Sequence, residues 1–236
     1  MNSTQGLVFD AYGTLLDVHS VATTAEELFP GRGEEISRLW RDKQIEYTRL
    51  VSLSDPNDAG SRHYQSFESL TRASLEYVLK RLGLPLHTDS IESLMHRYRR
   101  LRPFAEVKSV LTSLAQFQLP MVVLSNGSRE MLKAVMANAE LIDFFDRLIS
   151  ADEVRQFKTS PKLYALGPQA LGHAAQQLLF VSSNGWDAMG AAWFGYQTCW
   201  INRAGLPSET IGLAPSRVGS DLSCVLEMVQ AQRRQS

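Results

Sequence analysis

Five short apolar runs recur along the chain, each closing on polar or turn-forming residues: 6–11 (GLVFDA), 120–125 (PMVVLS), 148–151 (LISA), 178–183 (LLFVSS) and 197–201 (QTCWI). Runs this short, without polar alternation, read as strands buried on both faces of a parallel sheet. Amphipathic segments with helical spacing stand between them, at 107–116, 128–139, 162–171 and 187–194. Strand alternating with helix implies right-handed crossovers and an α/β fold, a Rossmann-like doubly wound parallel sheet.

The rhythm stops between about 17 and 100. No strand pattern occurs there, while 22–29, 34–50, 64–82 and 90–100 carry helical periodicity. The expected organisation is a Rossmann-like core made of 1–16 and 101–236, with 17–100 inserted after the first strand as a helical cap. Within the insert, 54–62 (SDPNDAGSR) is a strong breaker.

Composition narrows the function classes. The chain has 236 residues, 44% hydrophobic and 21% charged, as in an ordinary globular protein large enough for a substantial core. A formal net charge of -1 gives no electrostatic case for nucleic acid or an anionic membrane surface. The one basic cluster, 97–102 (RYRRLR), reads as a solvated helix face. Two cysteines, Cys199 and Cys224, are too few for a disulfide framework and lack zinc spacing, and Cys199 reads as a buried strand residue. No signal-peptide pattern and no membrane-spanning apolar run is seen, so a cytoplasmic enzyme is expected.

In an open α/β sheet, ligands bind outside the carboxyl ends of the strands. The polar residues closing four of the runs are Asp10, Ser125 with Asn126, Asp152, and Ser182, Ser183 and Asn184 with Asp187 beyond. Asp10 alone would read as a turn or helix-capping aspartate. Thr14 and the other polar strand ends move it toward chemistry, since a desolvated carboxylate held in line with an electrophilic atom is a competent nucleophile.

The motifs FDAYGTL (9–15), LSNGS (124–128), Lys158 and VSSNGWD (181–187) stand in the order of the four signatures of the haloacid dehalogenase superfamily, which the chain resembles over nearly its whole length. Phosphatases of that superfamily carry a second aspartate two residues after the nucleophile, where this chain has Tyr12. A phenol with a reference pKa of about 10 is a poor general acid at neutral pH. The last motif offers Asp187 as its only acid where phosphatases use two to hold Mg²⁺. DAYGT and SSNGWD instead resemble the L-2-haloacid dehalogenases, which use no metal and no cofactor.

That resemblance implies a small 2-haloacid as substrate. Asp10 displaces the halide with inversion at C2, and water then hydrolyses the enzyme ester. Halide leaves without needing a proton, so Tyr12 in place of an acid is chemically consistent. Further roles are implied by matching positions. Arg41, Asn126 and Trp186 cradle the halide, while Ser125 binds the substrate carboxylate. Lys158 orients Asp10, and Asp187 polarises the hydrolytic water within a network of Ser182, Ser183 and Asn184. Thr14 and Tyr164 support, and Tyr12, Ile45 and Phe67 line the pocket. Taken singly, Arg41 would be a surface residue, Lys158 a loop lysine, and Trp186, Phe67 and Ile45 core. The resemblance also implies a homodimer.

Two stretches depart from the family pattern: the 54–62 loop is longer, and TSPK rather than Pro-Asp follows Lys158. Two other functions remain to be weighed: a Mg²⁺-dependent phosphatase on Asp10 and Asp187, and a non-catalytic binding protein on the same fold. The first would show turnover strictly dependent on Mg²⁺. The second would tolerate Asp10→Asn.

Overall fold

The computed structural model describes residues 3–234. The chain enters through β1 (Gly6–Phe9) and passes into four helices, α1 (Ala22–Leu28), α2 (Gly33–Ser54), α3 (Phe67–Arg81) and α4 (Thr88–Tyr98). It then alternates: α5 (Val107–Ala115), β2 (Met121–Ser125), α6 (Arg129–Asn138), β3 (Arg147–Ser150), α7 (Pro161–Leu171), β4 (Leu178–Ser182), α8 (Gly185–Phe194), β5 (Gln197–Ile201), β6 (Arg217–Gly219) and α9 (Ser223–Arg233).

The six strands form one sheet in the order β3-β2-β1-β4-β5-β6, every pair parallel. β1, β2 and β4 are buried along their whole length, as their unbroken apolar runs require. Strand order reverses between β1 and β4, whose register sets Phe9 beside Val181. A crevice opens at such a reversal beyond the carboxyl ends. Asp10 follows β1 directly and Ser183-Asn184 follows β4, so the reversal sets both motifs side by side.

The four inserted helices leave and rejoin the sheet at one place. Leu16 bridges Pro103, and Asp17 N donates to Arg102 O at 2.8 Å. α2 packs across α3 through buried side chains: Trp40 Nε1 donates to Thr71 O and Gln44 Nε2 to Thr71 Oγ1, each at 2.7 Å.

Five strands and eight helices lie where the hydrophobic pattern sets them, with shifts at the ends. α2 runs on to Ser54 because Val51 and Ser52 continue its buried stripe. α3 starts at Phe67 rather than 64, since Ser66 is its N-cap and accepts from Ser69 N. The basic run 97–102 is not a helix face: α4 ends at Tyr98, and Arg99 is drawn into an ion pair with Glu68. β6 and α9 carry no pattern that announces them. β6 is three residues with an exposed Val218, and α9 buries only Cys224, Val225 and Val229. Cys199 is buried on β5, as expected, with its Sγ 2.9 Å from that of Cys224, both thiols free. No helix among the described residues is long and apolar enough to cross a membrane.

Candidate active site

At the strand reversal Asp10 is 5% exposed, and its two carboxylate oxygens are held by three side chains. Lys158 Nζ donates to Oδ1 at 2.8 Å, while Thr14 Oγ1 and Asn184 Nδ2 donate to Oδ2 at 2.8 and 3.0 Å. Thr14 sits one turn beyond Asp10, and its hydroxyl also accepts from Ser183 N at 2.8 Å, pinning β4's end to the first loop. A charged carboxylate this buried persists only with such partners.

Lys158 Nζ also donates to Asp187 Oδ2 at 2.8 Å, so one ammonium stands between two carboxylates. Its own burial pulls the ammonium's pKa down, but Asp10 and Asp187 together outweigh that and hold it above the ordinary lysine value. Burial pushes Asp187 above the usual carboxylate range. Lys158 opposes that shift and the neighbouring Asp10 charge adds to it. Tyr164, on α7, completes this shell by donating to Asp187 Oδ1 at 2.7 Å, and Tyr196 donates to Tyr164 O at 2.7 Å.

The second motif meets the lysine through its backbone. Lys158 N donates to Asn126 Oδ1 at 2.8 Å, and Ser125 Oγ accepts from Gly127 N at 3.0 Å. Gly127 is required here: a Cβ would fall 2.8 Å from the Tyr12 ring and 3.3 Å from Ser125 Oγ. Ser182 Oγ accepts from Asn184 N at 3.1 Å, which sets the turn into α8.

Arg41 reaches this cluster from α2. Its Nη2 donates to Tyr12 O at 3.2 Å and Asn184 Oδ1 at 3.3 Å, so Asn184 joins the arginine to the Asp10 carboxylate. Its Nη1 donates to Gln44 Oε1 at 2.8 Å. Gln44 is fully buried, also accepts from Tyr98 Oη at 3.1 Å, and escapes sequence reasoning although its i+3 spacing from Arg41 is a signal. Tyr12 stacks on Tyr98 with ring centroids 5.7 Å apart and packs against Phe67 at 5.3 Å. Burial and then the neighbouring Tyr98 push its phenol well above the ordinary tyrosine value. Tyr12 Oη and Ser183 Oγ are buried with no hydrogen-bond partner among the described residues.

A cavity of about 660 Å³ opens beside the cluster. Arg41, Ile45, Ser183, Asn184 and Trp186 line it, and Asp10 lies behind Asn184. The structure thus gathers Asp10, Thr14, Lys158, Tyr164, Ser183, Asn184, Asp187 and Arg41 into one connected network. Asn126 joins it only through the Lys158 amide, and Ser125 and Phe67 stand around Tyr12. Trp186 lies on the outer wall, with the Arg49 guanidinium 4.9 Å from its ring. Asp152, the remaining polar strand end, is used elsewhere: it accepts from Tyr64 Oη at 2.6 Å and Arg129 N at 2.7 Å. No group of three or more His, Cys, Asp or Glu among the described residues is placed to hold a metal ion.

A parallel sheet of this order, with a lysine-bridged aspartate after β1 and an acid in the first turn of α8, defines a class of hydrolase. The family model for haloacid dehalogenase-like hydrolases matches residues 4–195, and the chain belongs to that family. Its relatives within the family are more particular. It is 44% identical to an (S)-2-haloacid dehalogenase of Pseudomonas sp. (strain YL), over 98% of this chain and 96% of that one. Among solved structures it resembles the L-2-haloacid dehalogenase RSc1362, with TM-score 0.94 and 48% identity over 97% of this chain and 100% of that one. It also resembles the L-2-haloacid dehalogenase from Xanthobacter autotrophicus with chloropropionic acid covalently bound, with TM-score 0.87 and 37% identity over 96% and 98% of the two chains.

Proposed function

We propose that this chain hydrolyses short L-2-haloalkanoic acids and haloacetates to 2-hydroxy acids, through an ester on Asp10 and with inversion at C2. The observation that carries the reading is the Asp10 carboxylate itself, buried, paired with Lys158 and aligned by Thr14 and Asn184. One Asp10 oxygen forms a bond to C2 of the substrate as the carbon–halogen bond breaks and halide leaves as the anion. Water then adds to the ester carbonyl of Asp10, and the 2-hydroxy acid departs with the original C2–O bond. The Asp10 oxygen that does not bond to C2 becomes the oxyanion of that second step and keeps its donors, Lys158 if it is Oδ1 or Thr14 and Asn184 if it is Oδ2, at about 2.7–4 kcal/mol per donor. Asp187, with its raised carboxyl pKa, takes the proton of the attacking water. Ser182 and Ser183 hold the surrounding loop.

Arg41 supplies a positive group at the cavity wall, and with Asn126 and Trp186 it is assigned to the departing halide. Ser125 and the unpartnered hydroxyl of Tyr12 are assigned to the substrate, while Ile45 and Phe67 exclude water. The helices of 17–100 act as a cap on the core of 1–16 and 101–236, delivering Arg41 to the site. The exposed Leu50, Leu53 and Tyr77 on α2 and α3 are covered by a second copy in a homodimer. A cytoplasmic setting suits two buried free thiols.

Phosphoryl transfer is disfavoured because the position of its acid is held by Tyr12, whose buried phenol keeps its proton far above neutral pH. The test is halide release from L- and D-2-chloropropionate and haloacetates in EDTA, beside p-nitrophenyl phosphate with Mg²⁺. Halide from the L isomer, lost in Asp10→Asn, is expected. Phosphate release requiring Mg²⁺, with no halide from any haloacid, would overturn the proposal.

A further inference from the structure

The two stretches that depart from the family pattern meet in space. The loop after α2 folds onto the segment that carries Lys158. Asn57 O accepts from Gln156 Nε2 at 2.8 Å and Lys162 Nζ at 2.6 Å, and Asp58 pairs with Lys162 at 2.8 Å. Ser61 N donates to Arg155 O at 3.1 Å, and Ser52 Oγ accepts from Phe157 N at 2.8 Å. Tyr64 stacks on Phe157 with ring centroids 5.1 Å apart and donates to Asp152 Oδ1. These contacts grip the chain on both sides of Lys158, from 152 to 162.

The loop is itself braced. Asp55 Oδ2 accepts from Arg62 N and Asn57 Nδ2, both at 2.8 Å. Gly60 has φ +87° and lies so close to the segment that a Cβ would fall 2.5 Å from Arg155 Cβ and 2.6 Å from Val154 O. Beside the segment is a cavity of about 330 Å³, lined in part by Ser52, Leu53, Pro56, Lys158, Thr159 and Pro161. Close packing therefore does not fix this face of the Lys158 loop, and the polar ties must.

We infer that the 55–64 loop is a positioning strap: it sets the Lys158 backbone, and through it the ammonium that bridges Asp10 and Asp187. The inference rests on the role proposed for Lys158. A small displacement of Nζ loosens the Asp10 alignment without touching the cavity wall that Arg41 and Trp186 provide. The strap therefore acts on kcat and spares KM.

The test uses Gly60→Ala, which lifts the strap off, and Lys162→Met, which cuts the two surface ties to Asn57 and Asp58 and leaves folding intact. Two readouts are taken on each: kcat and KM for L-2-chloropropionate, and amide hydrogen exchange across 156–160. Roughly tenfold or greater loss of kcat is expected, with KM within about twofold, because misplacement of this kind costs up to about 10²-fold. Exchange of the Phe157 and Lys158 amides is expected to accelerate, and Lys162→Arg to restore both. Unchanged exchange and kcat in both variants would overturn the strap. So would a rise in KM that matches the loss of kcat. If wild-type protein releases no halide, the dehalogenase reading falls, while the exchange data alone still decide the strap.

Discussion

Lys158 joins the two buried carboxylates of the site. Its ammonium contacts both Asp10 and Asp187, each buried. Removing it as Lys158→Met leaves two like charges facing each other, and a broken buried pair of this kind costs about 3–5 kcal/mol. The expected result is a matching fall in unfolding free energy by urea titration at pH 7. The pH dependence follows from the raised lysine pKa. The folded state binds this proton more tightly than the unfolded state, whose value lies near 10.5. The contribution is therefore complete below that pH and fades as pH rises through the higher folded value. Urea midpoints compared at pH 9 and pH 11 should show the loss in wild type and a smaller one in Lys158→Met. Tyr12 offers a second test. Its hydroxyl is buried without a partner among the described residues, a cost of about 1–3 kcal/mol. Tyr12→Phe should raise the melting temperature of the free protein while raising KM for the haloacid. A lower melting temperature would mean that the hydroxyl is satisfied in the free protein.

At the scale of elements, α2 does the most to connect the inserted helices with the sheet. It presents Arg41 to Asn184 and the Tyr12 carbonyl, and Gln44 one turn on holds the other side of the guanidinium. Gln44→Leu should keep the helix, since Leu is a good helix former, but release Arg41. A roughly tenfold fall in kcat/KM is expected by steady-state kinetics, with little change in far-UV dichroism. Much of this level is readable from the chain. Asp10, Lys158 and Asp187 stand at strand or loop positions that the apolar runs and motifs mark, and Arg41 stands on a helix with clear periodicity. What the sequence does not show is how distant pieces pair. Gln156 and Asn57 are 99 residues apart and lie in segments without periodicity, so no local signal joins them. β6 escapes for a related reason: it is held by pairing with β5, not by an apolar face of its own.

For the whole molecule, the strand reversal beside β1 explains why residues from four separate motifs converge. β1 and β4 are neighbours in the sheet but 168 residues separate Asp10 from Leu178, and the intervening chain supplies both the helices above the site and Lys158 beneath it. The connected hydrogen bonds from Arg41 through Asn184 to Asp10, and from Asp10 through Lys158 to Asp187 and Tyr164, make one unit. The chemistry assigned to that unit requires the Asp10 carboxylate to lose and regain an oxygen at each turnover. The measurement that tests it most directly is a single turnover of L-2-chloropropionate in H₂¹⁸O with enzyme in excess, followed by mass spectrometry of the peptide bearing Asp10. The ester mechanism predicts one ¹⁸O in the Asp10 carboxylate and unlabelled lactate. Label in the lactate with none in Asp10 would mean direct attack by water and would contradict the ester mechanism.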